Sequence, residues 1–259
     1  MLKRGFYLWR LVWTPLAFAA LGVGGVVLAL TAIPAATLFV RDEQARNRRA
    51  QSIIRESFRL YLWFLQAIGI LKLEVIGGDQ IQACRGTLVI ANHPTLIDIV
   101  ILMALLPDAK CVGKRQLWRN PMLRMVVRAA GYIRNDHEPE ILLEKCRESL
   151  QAGYNLIIFP EGTRSVPGQT LRFQRGFAHI AIASGADLRL VLITCEPVTL
   201  VKGRSYYKIP DSPPHFRIEV GEQINAASYM DRKGNSRSLR ARHLVSYVES
   251  NYSRRLNHV

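Results

Sequence analysis

The chain has 259 residues, long enough for one substantial hydrophobic core or for one core with appendages. Lys and Arg number 35 against 20 Asp and Glu, and a pI near 10.1 excludes a cationic partner surface while admitting either nucleic acid or anionic lipid. The four cysteines, Cys84, Cys111, Cys146 and Cys195, form no Cys-x-x-Cys pair and the six histidines are dispersed, so the chain reads as a reduced, cytosol-facing protein without a disulfide framework, a structural zinc site or a cofactor motif.

Residues 11–40 contain no charged side chain. About 30 residues at a rise of about 1.5 Å each are long enough to cross a hydrocarbon core of about 30 Å, so this stretch is expected in the membrane. Lys3, Arg4 and Arg10 precede it and Arg41, Arg46, Arg48, Arg49 and Arg55 follow it, a balance that favours a cytoplasmic carboxyl side. A cleaved signal peptide fits less well, because the apolar run exceeds the usual 7 to 15 or so residues. Pro15, Pro34 and the glycines at 22, 24 and 25 also permit a broken helix, which leaves a single crossing and a re-entrant hairpin both open. Residues 1–45 are therefore assigned to an N-terminal anchor.

Residues 46–75 follow as a basic linker and a helix. From 57 to 71 the sequence is apolar nearly all round, with Phe58, Tyr61, Trp63 and Phe64 grouped as in an interfacial helix, though a helix buried on a sheet has the same pattern. From residue 73 the texture becomes α/β. Strands are predicted at 88–91, 156–159, 190–193 and 216–220, and helices at 95–106, 141–152 and 176–184. One domain is drawn over 76–225. The remaining 226–259 form a basic tail whose stretch 236–255 is helix-compatible, with Leu239, Leu244, Val245 and Val248 as a loose stripe suited to covering one side of the domain.

Two blocks, each entered from a short apolar run, carry chemistry: Asn92-His93-Pro94-Thr95-Leu96-Ile97-Asp98 and Phe159-Pro160-Glu161-Gly162-Thr163-Arg164-Ser165. A strand end is where α/β sites gather, so His93 is expected to project into one. If Asp98 accepts from one imidazole nitrogen, the other is held as an acceptor able to take a proton from an alcohol. The plainer alternative is that Asp98 only stabilises the first turn of a helix. In the second block Gly162 permits close approach, Thr163 and Arg164 offer donors to an anion, and Glu161 either binds an acceptor hydroxyl or holds Arg164; the plainer alternative is a surface turn.

These residues resemble the lysophosphatidic acid acyltransferase family, whose signature is a His-four residues-Asp block followed by a Phe-Pro-Glu-Gly-Thr-Arg block. The resemblance runs from about Gly86 to Val198 and takes in Lys114-Arg115-Gln116-Leu117, Pro121, Gly131, Arg175-Gly176 and Pro197-Val198. It implies an α/β fold with a mixed sheet flanked by helices, and a membrane-bound enzyme that moves a fatty acyl group from acyl-CoA or acyl carrier protein to the hydroxyl of a lysophospholipid such as 1-acylglycerol-3-phosphate. His93 would be the general base and Asp98 its orienter. Glu161, Gly162, Thr163, Arg164, Arg134, Arg175 and Lys114 would bind substrate, with neither metal nor cofactor.

The implied partners are the lipid acceptor, the acyl carrier and an anionic membrane surface rather than nucleic acid, and the implied location is the bacterial inner membrane with the catalytic domain facing the cytosol. The middle block departs from the family pattern: an arginine is expected six positions after Gly131, where this chain has His137, and Arg134 stands three positions early. The last block is altered as well, with Thr194-Cys195-Glu196 before Pro197 and Val201, Lys202 and Gly203 beyond it. These changes resemble a branch associated with bacterial aryl-polyene lipids, which would keep the reaction and change the alcohol. A non-catalytic basic module that binds anionic lipid, and a hydrolase using water, are the readings from other classes.

Overall fold

A computed structural model of the chain describes residues 2–119, 121–165, 169, 171–200, 209–226, 228 and 236–256. Val201, Lys202 and Gly203 lie outside the described residues. The chain opens with a helical hairpin. Helix α1 (Leu2–Leu30) and the short α2 (Ala32–Thr37) lead through a turn into α3 (Glu43–Ala67). Asp42 caps α3 by accepting from the backbone N–H of Ala45 at 2.6 Å, which fixes its start well before residue 57.

The hairpin is tied both across its own arms and to the rest of the molecule. At one end the Trp9 indole donates to the Ile68 carbonyl and Arg10 donates to the carbonyls of Pro210 and Asp211. Near the middle the Tyr61 hydroxyl donates to the Ala17 carbonyl. Toward the other end a side chain at Gly25 would meet Val126 at 3.3 Å, Arg48 pairs with Asp108 at 2.7 Å, and the Tyr154 hydroxyl reaches the Gln44 carbonyl. The outer face of the hairpin stays apolar and exposed, with Phe6, Val12, Leu16, Val27, Phe39, Leu60 and Trp63 on it.

Among the described residues the sheet has seven strands in the order β1-β7-β6-β2-β5-β3-β4. They are β1 (Lys72–Ile76), β2 (Leu88–Ala91), β3 (Ala109–Gly113), β4 (Ile133–Arg134), β5 (Asn155–Ile158), β6 (Leu188–Glu196) and β7 (His215–Ile224). All neighbours are parallel except β6 and β7, so the sheet is mixed, and β6, β2, β5, β3 and β4 end at the same edge. The sheet thus begins at residue 72, inside the stretch assigned above to a linker.

Alternation along β2 divides the core. Val89 and Ala91 face a layer that includes α3 and α5 (Asp98–Leu105), whereas Leu88 and Ile90 face α8 (Pro139–Gln151), α9 (Gly176–Ser184) and the C-terminal α10 (Arg237–Leu256). All four β2 residues are 0 % exposed, and burying an aliphatic side chain of that size contributes roughly 1.5–3 kcal/mol. Helix α10 is a covering helix: of its predicted stripe Leu244, Val245 and Val248 are buried and Leu239 is exposed, while Tyr252 is buried as well, its hydroxyl 2.7 Å from the Ile90 carbonyl and 3.0 Å from that of Val191. Three further short helices among the described residues are α4 (Gly78–Gln82), α6 (Gln116–Arg119) and α7 (Pro121–Ala129).

Candidate active site

His93 stands two residues beyond β2, on a turn that leads into α5. Asn92 anchors that turn to β6: its Nδ2 donates to the Ile193 carbonyl at 2.8 Å and its Oδ1 accepts from the Ile193 N–H at 2.7 Å. Nδ1 of His93 lies 2.9 Å from Oδ2 of Asp98, the first residue of α5. The same carboxylate accepts the Thr95 N–H at 2.7 Å and the Thr95 hydroxyl at 2.5 Å. Four residues separate His93 and Asp98, and the bend between them brings the His93 ring and the Thr95 N–H onto one Asp98 oxygen.

Burial differs sharply across the pair. The Asp98 side chain is 0 % exposed, while that of His93 is 18 % exposed. Burial pushes the Asp98 carboxyl above its ordinary value, against the pull of hydrogen bonds from His93 and Thr95. With Nδ1–H committed to the carboxylate, Nε2 carries the free lone pair. The Phe159 ring stacks on the imidazole at 4.1 Å between centroids and 20° between planes, which restricts the ring to one orientation.

The second block locks onto the first. Oε1 of Glu161 accepts the His93 backbone N–H at 2.8 Å and the Ser165 hydroxyl at 2.9 Å, while the Ser165 N–H donates to the His93 carbonyl at 2.7 Å. Glu161 therefore does not hold Arg164, as one of the two expectations had it. The Arg164 guanidinium instead donates to the Leu200 carbonyl at 2.7 Å. Burial raises the Glu161 carboxyl above its ordinary value. Gly162 takes φ +67, a conformation open to glycine, and a side chain there would run into the Gln174 amide. Gln174 is itself tied back through its N–H to the Pro160 carbonyl at 2.8 Å.

The other expected residues spread along the same edge. Lys114 is exposed just past β3, Thr163 is exposed in the turn, and Arg175 is exposed at the start of α9. Arg134 ends β4 and is taken up by Asp136 in a two-pronged ion pair, Nε to Oδ1 at 2.9 Å and Nη2 to Oδ2 at 2.7 Å. Sequence reasoning missed Asn92 as an anchor and Asp136 as a competitor for Arg134; a carboxylate two positions from an arginine at a strand end was the available signal. No group of three or more potential metal ligands occurs among the described residues.

An apolar recess lies between α1, α3, Ile97 and residues 199–200 and 209–216. Ala17, Phe18, Leu65, Ile97, Leu200 and Phe216 are among its lining, with Arg10 and Thr14 as polar members. Ile97 directly precedes Asp98, and Leu200 supplies the carbonyl that holds Arg164. The arrangement can thus take a proton at Nε2 and steady the resulting cation through a buried carboxylate.

Residues 72–200 match the family model described as Acyltransferase. A 1-acyl-sn-glycerol-3-phosphate acyltransferase of Cocos nucifera is 33 % identical over 156 residues, covering 58 % of this chain and 49 % of the relative. One from Helicobacter pylori is 34 % identical over 139 residues, covering 51 % of this chain and 57 % of the relative. The chain spans about half the length of the curated relatives it matches. The crystal structure titled as the 1-acyl-sn-glycerophosphate (LPA) acyltransferase, PlsC, from Thermotoga maritima superposes with a TM-score of 0.73 at 21 % identity, covering 100 % of this chain and 99 % of that one, which shows a shared fold.

Proposed function

Over residues 72–200 this chain belongs to the acyltransferase family, and on that premise we propose that it transfers a fatty acyl group from a thioester, acyl-CoA or acyl carrier protein, to the free hydroxyl of a lysophospholipid such as 1-acylglycerol-3-phosphate. The observation that carries the reading is the His93–Asp98 pair at 2.9 Å, with the carboxylate buried and the imidazole partly open. Nε2 of His93 removes the hydroxyl proton as the oxygen attacks the thioester carbonyl. The tetrahedral intermediate then collapses, the carbon–sulfur bond breaks, and the imidazolium returns the proton to the departing thiolate.

In this proposal Asp98 fixes the imidazole tautomer and stabilises its protonated form. Glu161 positions His93 through the backbone, which replaces its expected contact with an acceptor hydroxyl. Arg164, Thr163, Lys114 and Arg175 supply donors for the anionic parts of both substrates. The recess bordered by Ile97 and Leu200 receives hydrocarbon chain, a role its largely apolar lining supports.

The location is a bacterial cytoplasmic membrane, with the catalytic domain toward the cytosol. Residues 5–37 are long and apolar enough to cross a bilayer. Both ends of the hairpin touch the domain, however, which supports attachment to one leaflet with the exposed face of α1 and α3 in lipid. Basic residues beyond it suit an anionic surface.

The test is detergent-purified protein supplied with a labelled long-chain acyl thioester and a panel of lysophospholipids, with products resolved by mass spectrometry. Acylated lysophosphatidate formed by the wild type and not by His93→Ala is the expected result. Equal product from both proteins overturns the assignment of His93.

A further inference from the structure

The registers of four adjacent parallel strands bring a second set of charges to the same sheet edge as the pair. Ile90 is level with Ile158, Cys111 with Ile157, and Gly113 with Arg134. Continuing these registers puts Ala91, Phe159, Gly113 and Arg134 in one row across β2, β5, β3 and β4. The loops that leave these strand ends carry His93, Glu161, Arg115 and Asp136. With neighbouring strands about 4.8 Å apart, the strand that leads to Arg115 lies roughly 10 Å from that of His93, and the strand that leads to Asp136 lies one step beyond.

Asp136 is held at that edge by the hydrogen bond from the Asn135 N–H to the Gly113 carbonyl at 3.0 Å. Its carboxylate takes both prongs of Arg134 at 2.9 and 2.7 Å, and Arg115 Nε stands 3.7 Å from the same group. The three side chains are 29 %, 37 % and 57 % exposed for Asp136, Arg134 and Arg115, so the cluster opens to solvent and a ligand can reach it. Hydrogen bonds from Arg134 hold the Asp136 carboxyl below its ordinary range, and it is an anion at neutral pH. A carboxylate bound by a guanidinium fork presents the same acceptor geometry as a phosphate in that fork.

We propose that Asp136 sets acceptor selectivity: it occupies Arg134 and Arg115 as an internal anion that a phosphomonoester head group has to displace. The inference rests on acyl transfer to a lysolipid hydroxyl as proposed above. A dianionic phosphomonoester is the ligand that gains most from two arginines, so it is the one penalised. A head group with a single phosphodiester charge, or none, depends less on that fork and is left relatively favoured.

Asp136→Asn removes the charge and keeps the size. The expected result is a fall in KM for lysophosphatidate of about twofold to fivefold, the scale of a partly exposed ion pair, with the gain in KM rather than kcat. KM for lysophosphatidylcholine is expected to stay put, and Arg134→Ala in the Asp136→Asn background is expected to erase the gain. An unchanged KM for lysophosphatidate overturns the proposal, and so does a higher one, which would mean that Asp136 holds Arg134 ready for phosphate. Calorimetric binding of lysophosphatidate micelles to His93→Ala protein, with and without Asp136→Asn, reads the same competition without turnover. Tighter binding to the double variant upholds the proposal and equal binding overturns it, even if no lysolipid is acylated and the acyl-transfer reading fails by itself.

Discussion

Replacing Asp98 with asparagine separates charge from architecture at the proposed site. The carboxylate is fully buried, with His93 Nδ1 at 2.9 Å and the Thr95 N–H at 2.7 Å on Oδ2, and the Thr95 hydroxyl on Oδ1. An asparagine oxygen in the Oδ2 place still accepts from His93 and from the Thr95 N–H. Its NH2 then faces the Thr95 oxygen, which can rotate its proton away and accept. The fold survives while the negative charge that stabilises the imidazolium is gone. General-base catalysis contributes roughly 10²–10⁴ in rate, so His93→Ala is expected near the upper end of that loss, and Asp98→Asn at about 10²–10³. Asp98→Ala instead orphans both Thr95 donors, at about 1–3 kcal/mol each, which lowers the melting temperature by several degrees for a domain of this size. Single-turnover transfer from a labelled thioester, with a thermal melt beside it, reads both effects. The reasoning is refuted if Asp98→Asn melts like the wild type and transfers at the wild-type rate, or loses more rate than His93→Ala.

Glu161→Gln keeps the Oε1 acceptor used by His93 and Ser165, so transfer is expected within a few-fold of wild type while Glu161→Ala loses most of it; equal losses would show that the charge itself is needed. Because burial raises the Glu161 carboxyl, the folded chain holds that proton more tightly than the unfolded chain, and the associated stability declines as pH rises above the ordinary 4.5. Melting temperature followed upward from that pH should therefore fall less in Glu161→Gln, and parallel profiles would refute the shift. Ala17, 3 % exposed in the apolar recess, becomes a plug as Ala17→Phe, which is expected to move transfer toward shorter acyl thioesters; an unchanged chain-length profile removes the recess from the proposal. In sealed vesicles, cysteines placed at Gly5 and Arg41 are expected to react with an impermeant thiol reagent from the same side, against a background of four buried native thiols, whereas labelling from opposite sides would establish a crossing.

The elements that announce themselves locally were legible in the sequence. Residues 88–91 form a strand buried on both faces and therefore appear as an uninterrupted apolar run, and residues 176–184 form a helix ended by Gly185 at φ +69. The spacing of His93 and Asp98 offered their pairing as one of two readings, and the bend that realises it spans only that loop.

Elements whose identity depends on distant partners were not legible. Strand β3 carries Lys110 as its second residue, one that reads as exposed until Tyr154 places its ring 3.7 Å from the ammonium and Ser149 offers its hydroxyl. Strand β4 is two residues long and exists through its pairing with β3, and β1 is a strand because β7 lies beside it. The same holds at the site: Glu161 faces His93 across 68 positions of sequence, Asn92 grips β6 across 101, and Arg164 turns to Leu200. Sequence determines which groups a turn carries, through local backbone preference and side-chain chemistry. Only the sheet order, which sets β2, β5, β3 and β4 side by side, decides which of those groups meet and which charges are already spent on one another.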